Sequence, residues 1–115
     1  MILTLSLSKA LLCSALQCWP ALIGPSTPIG EFQLVQRYTL ARGYGGDVLQ
    51  FHETENSVVA IHRVWLGRES EHRRERLASS DPKDRVISKG CINVDEAVYD
   101  KLVAEFPNAI LRITR

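Results

Sequence analysis

Leu3, Leu5 and Leu7 alternate with Ile2, Thr4 and Ser6 at the start of the chain. That period of two predicts a strand over Ile2–Leu7. Short apolar runs follow at Leu11–Ser14 and Cys18–Ile23, separated by turns at Ser8-Lys9 and Ala15–Gln17. Gly24 to Pro28 holds two prolines and reads as a loop. Phe32–Leu40 reads as one further strand. Val48–His52 and Ser57–Val64 are two more, joined by the polar turn Glu53–Asn56.

The period changes near the C-terminus. Val98, Tyr99, Leu102, Val103 and Phe106 form one apolar face, which predicts a helix over Asp95–Phe106. Asn93 with Glu96 three residues on reads as its capping box, and Pro107 ends it. Ala109–Thr114 returns as a strand. Many short strands and one late helix predict a mainly β sandwich with a single helix in the C-terminal half, about residues 95–106. At 115 residues the chain is expected to form one domain.

Composition narrows the function classes. A hydrophobic share of 45% and a charged share of 23% are those of an ordinary soluble globular protein. A net charge of +1 argues against a nucleic-acid partner, which calls for a markedly basic domain. The apolar start from Met1 to Leu16 has no basic leading region, is interrupted by Lys9 and shows no small-x-small cleavage site, so it reads as strand and not as an export signal. It is also too short to be a transmembrane segment. The glycine-rich stretch Arg42–Asp47 lacks a following Lys-Ser/Thr and opens no helix, which argues against a phosphate cradle. From Gly67 to Asp84, Arg68, Arg73, Arg74 and Arg76 alternate with Glu69, Glu71 and Glu75. A short helix fits there, either as a solvated face or as a lid over a site.

The candidate chemistry centres on Ser88-Lys89-Gly90-Cys91, which ends an apolar run and precedes the predicted helix. Gly90 permits close backbone approach at a tight turn, and N–H groups there face a substrate carbonyl. Arg85 and Lys89 bring positive charge that favours a thiolate on Cys91 and suits a substrate contact, with Asn93 beside them. The alternative is a buried, inert cysteine. A cysteine nucleophile needs an imidazole within reach, and the chain offers His52, His62 and His72. His62 closes the apolar run Val58-Val59-Ala60-Ile61, whereas His72 sits among arginines and His52 ends a strand.

Three segments occur in an order that resembles L,D-transpeptidase catalytic domains: Thr27-Pro28-Ile29-Gly30-Glu31-Phe32, Ala60-Ile61-His62, and Ile87-Ser88-Lys89-Gly90-Cys91-Ile92-Asn93. The resemblance covers nearly the whole chain. It implies an L,D-transpeptidase-like β-sandwich, a periplasmic or cell-envelope location and peptidoglycan stem peptides as substrate. It further implies cysteine-dependent acyl transfer without a metal or other cofactor. Cys91 would form the thioester, His62 act as base, Ser88 and Gly90 shape the turn, and Lys89, Arg85 and Asn93 meet substrate. An amine acceptor would make a cross-linker or exchanger, water a carboxypeptidase. A non-catalytic wall-binding module is the alternative of another class. Two departures stand out. Lys89 replaces the histidine usual between Ser and Gly, and His72 lies at the usual gap before Ser88 while His62 lies beyond it. An insertion at Gly67–Asp84 reconciles the second departure in favour of His62, with His72 as the alternative. Cys13 and Cys18 flank a short turn. They either pair across it, leaving Cys91 as the free thiol, or stay reduced. Cys-x4-Cys without a second pair is a poor zinc signal.

Overall fold

The computed structural model describes residues 1–115. Its first half runs β1 (Ile2–Ser6), β2 (Leu11–Cys13), β3 (Cys18–Pro20), β4 (Gly30–Gln33), β5 (Val35–Tyr38), β6 (Asp47–Glu53) and β7 (Val58–Arg63). The second half runs α1 (Arg73–Ala78), β8 (Ile92–Val94), α2 (Glu96–Glu105) and β9 (Ile110–Thr114), with 3₁₀ turns at Glu69–Glu71 and Pro82–Arg85. The strands form a five-stranded sheet ordered β3-β2-β1-β9-β4 and a four-stranded sheet ordered β5-β6-β7-β8.

The alternation at the start of the chain does what period two demands. Leu3 and Leu5 are fully buried, while Ile2 is exposed and Thr4 and Ser6 are half-exposed. β1 pairs in parallel with β9, setting Leu3 beside Leu111 and Leu5 beside Ile113, so both ends of the chain face one core. Leu49, Ile61 and Ile92 of the second sheet, with Tyr99 and Leu102 of α2, close the same core. Each fully buried aliphatic side chain contributes about 1.5–3 kcal/mol. The interior therefore fixes the register of β7 and β8, the strands that carry the site.

Two expectations about elements are corrected. Phe32–Leu40 is not one strand: β4 joins the first sheet and β5 the second, with Leu34 between them. Leu34 is fully buried and its N–H donates to the Ala109 carbonyl at 3.0 Å, so the chain turns a corner into the core there. The helix is not capped by Asn93, which lies buried in β8. Asp95 is the N-cap, its carboxylate accepting from the Ala97 N–H at 3.1 Å. Of the predicted apolar face, Tyr99 and Leu102 are buried, with Val98, Val103 and Phe106 packed around them.

Cys13 and Cys18 pair across β2 and β3 in a disulfide, and Cys91 is the free cysteine. The charged stretch folds as the short helix α1 between the two 3₁₀ turns. Leu77 anchors it beside Leu22, Val64 and Ile87 in a second, smaller apolar cluster. No helix is long and apolar enough to cross a membrane.

Candidate active site

Ile61 and Ile92 are register partners pointing into the core, so period two sends Ala60 and His62 of β7, with Asn93 of β8, to the other face. Cys91 immediately precedes β8 at the level of Ala60. Cys91 thus stands two residues before Asn93, the register partner of His62. Cys91 and His62 both line a cavity of about 800 Å³, together with Ser88, Lys89 and Gly90.

The turn that presents Cys91 is tied from three sides. The Ser88 hydroxyl donates to the Cys91 carbonyl at 2.6 Å. The Ser88 N–H donates to the Ile23 carbonyl at 3.0 Å. Thr27 joins two distant motifs: its hydroxyl donates to the Gly90 carbonyl at 2.9 Å and accepts from the Gly24 N–H at 3.1 Å. Gly90 has no left-handed φ, so conformational freedom is not what the turn asks of it. The position that tolerates no side chain is Gly24, where a Cβ would fall 2.0 Å from the Ser88 carbonyl oxygen. The N–H groups of Gly90 and Cys91 donate to no acceptor within the chain.

His62 is 3% exposed. Its Nδ1 lies 2.6 Å from the Arg63 carbonyl oxygen. A carbonyl only accepts, so Nδ1 carries the proton and Nε2 the lone pair. Burial, joined by the Arg73 charge and opposed by that hydrogen bond, lowers its pKa to about 4. His62 is therefore a neutral base near pH 7. The Tyr44 ring, from the glycine-rich stretch after β5, meets the imidazole edge-on with centroids 4.6 Å apart.

The state of Cys91 corrects the expectation of a ready thiolate. Burial pushes its thiol up from the ordinary value, outweighing the Ala60 N–H and the Arg73 charge that favour the anion. The thiol donates to the Val58 carbonyl at 3.7 Å, not to His62. At rest the pair is thiol and neutral imidazole.

Other sequence-derived candidates sort by burial. Arg85 is 5% exposed and leaves the site: its guanidinium donates to the carbonyls of Lys9, Ala10 and Ser79, clamping the charged stretch to the β1–β2 turn. Asn93 is fully buried and does not line the cavity; its Oδ1 accepts from the Trp65 N–H at 3.1 Å and from Arg73 Nη1 at 2.8 Å. Its role is support, and its Nδ2 has no partner. Lys89 is exposed at the mouth. His72 is exposed, adopts a left-handed φ of 51° and lies 4.0 Å from Glu75, outside the cavity lining. Sequence reasoning missed Tyr44, Trp65 and Arg73, all of which line the cavity. It also passed over His52, another lining residue, which follows a bulge in β6. Nothing in local pattern marks Tyr44 or Trp65, whereas Arg73 belongs to the stretch that reads as a solvated face or a lid and His52 is one of the three candidate imidazoles.

Among solved structures, the chain is similar to an L,D-transpeptidase from Stackebrandtia nassauensis, with a TM-score of 0.62 and 11% identity over 99% of this chain and 55% of that one. It is similar to an L,D-transpeptidase from Mycobacterium smegmatis to the same TM-score, with 14% identity over 99% of this chain and 58% of that one. The fold is thus L,D-transpeptidase-like, and the chain spans a little over half the length of those two chains. No protein-family model and no curated protein matches the sequence.

Proposed function

We propose that this protein is an acyltransferase that cleaves an L,D-peptide bond in peptidoglycan stem peptides through a thioester at Cys91. The observation that carries the reading is the placement of a free cysteine and a neutral, tautomer-fixed histidine in the lining of one cavity, within an L,D-transpeptidase-like fold. His62 Nε2 takes the thiol proton as sulfur adds to the carbonyl carbon of the diamino-acid residue. The oxyanion that forms faces the two undonated N–H groups of Gly90 and Cys91, a contribution of about 3–4 kcal/mol for one such donor in comparable sites. Collapse breaks the C–N bond, and the imidazolium returns its proton to the departing D-alanine amine. An amine of a second stem, a free D-amino acid or water then attacks the thioester and regenerates the thiol. Substrate access to peptidoglycan requires a place in the cell envelope, where the Cys13–Cys18 disulfide persists.

Incubation with purified tetrapeptide-stem muropeptides tests this. Mass spectrometry is expected to show D-alanine release and an acyl adduct confined to the Cys91 peptide. Intact stems and an unmodified Cys91 after prolonged incubation would overturn the assignment. Cross-linked or exchanged products identify an amine acceptor, trimmed stems identify water.

A further inference from the structure

Arg73 belongs to the charged stretch, yet its side chain is only 11% exposed and its orientation is held from three directions. Nε donates to Glu71 Oε1 at 2.9 Å, Nη1 donates to Asn93 Oδ1 at 2.8 Å, and the guanidinium lies over the Trp65 ring at 5.1 Å. Trp65 is itself boxed in, since a Cβ at Gly43 or Gly67 would come within 2.2 Å of its ring. Nη2 has no partner within the chain and is not sealed from solvent. The result is a fixed guanidinium with one open donor edge in the lining of the cavity that holds Cys91.

The surroundings leave that edge positive. Arg68, Arg73 and Lys89 line the cavity against one carboxylate, Glu71, which is already paired with Arg73. The field of Arg73 reaches both the Cys91 sulfur and the His62 ring. An arginine needed only to fasten the stretch to Asn93 has no use for an open donor; one that receives an anion does. Planar guanidinium edges select carboxylates by charge and by directed N–H donors, which a neutral amide isostere cannot match.

We propose that Arg73 is a specificity-determining residue that binds a substrate carboxylate next to the carbonyl attacked by Cys91, so that acyl donors with a free carboxylate are accepted over their amidated counterparts. This deepens the acyl-transfer reading, but its test does not need turnover. Iodoacetate and iodoacetamide alkylate the same thiolate and differ in carboxylate against amide, so the ratio of their rates at Cys91 is independent of the thiol pKa. Arg73→Gln is expected to lower the iodoacetate-to-iodoacetamide ratio about tenfold, the scale of one charge-assisted hydrogen bond. Arg73→Lys and Lys89→Gln should lower it less. A folded Arg73→Gln protein with the wild-type ratio, or a larger drop in Lys89→Gln, overturns the proposal.

Because Arg73 also fastens the stretch, a second measurement uses the unaltered protein. N-acetyl-D-alanine should protect Cys91 from iodoacetamide at about a tenth of the concentration that N-acetyl-D-alaninamide needs. Equal protection by the two overturns the proposal even if Arg73→Gln fails to fold. Equal turnover of free and amidated stems would refute Arg73 as selector and leave acyl transfer standing, whereas carboxylate preference in alkylation without any turnover would do the reverse.

Discussion

One wall of the cavity is sheet and the other is a charged segment, and the two are held by different forces. His62 stands on β7 and Cys91 just before β8, two strands whose Ile61 and Ile92 are buried in the main core. Glu71 and Arg73 stand on a stretch attached by one buried leucine, Leu77, and by directed polar contacts from Arg85 and Arg73. Hydrophobic burial is non-directional and collective, so it sets positions rigidly. Polar clamps set orientation one bond at a time and fail when one partner is lost. In the proposed reaction, proton transfer would draw on the first kind of support and substrate selection on the second.

The sheet wall should show the largest effects. Cys91→Ser is expected to cut turnover at least about 10³-fold, because a hydroxyl with this base is a far weaker nucleophile. Its circular dichroism spectrum should match the parent. Normal activity would remove the thioester mechanism. His62→Ala should lose about 10²–10⁴-fold in turnover, the usual range for a general base. His72→Ala, on the segment's exposed surface, should stay within about twofold, the scale of ordinary surface changes. A reversal of those two results would move the chemistry from sheet to segment.

Gly24→Ala probes the joint behind the Cys91 turn. A methyl 2.0 Å from the Ser88 carbonyl oxygen meets backbone, which cannot swing aside. Urea midpoints should report a loss of about 3 kcal/mol. Wild-type stability at this position would mean the Cys91 turn is softer than the sheet behind it.

His62 also links stability to pH. Its folded pKa of about 4 lies below the ordinary 6.5, so the unfolded chain binds the extra proton first. Stability from this group is full above about pH 6.5, falls as pH drops towards 4, and levels off below that. The loss is up to about 3 kcal/mol over that window. Urea titrations of wild type and His62→Gln, compared between pH 7 and 4, isolate it; parallel curves would show that the sheet does not bury the ring. The smallest effect should come from the hairpin staple remote from both walls. Cys13→Ser with Cys18→Ser is expected to cost about 2 kcal/mol, as a short closed loop implies, with turnover unchanged.

Much of the fold was legible because its signals are local. Leu3 and Leu5 declare an inward face, and Tyr99 and Leu102 declare a helix stripe. The corner at Leu34 was hidden, since an apolar run through a corner looks like one through a strand. Asn93 and Asp95 both offer a cap, and only the β8 ladder assigns Asn93 to the interior. Arg85, close in sequence to Cys91, and Arg73, eighteen residues before it, exchange roles: the structure sends Arg85 to three backbone carbonyls and Arg73 to the cavity.

From residue order alone came most of the strands, though not the β4–β5 corner or β8, with the late helix, the Ser88–Cys91 turn and His62 as its candidate partner. Tertiary structure alone decided that His62 and not His72 shares the cavity with Cys91, that the thiol rests protonated, and that Tyr44, Trp65 and Arg73 complete the lining. The reason is physical. Periodicity and turn chemistry act over a few residues, whereas cavity lining, desolvation and charge–charge distance depend on the register between strands far apart in sequence.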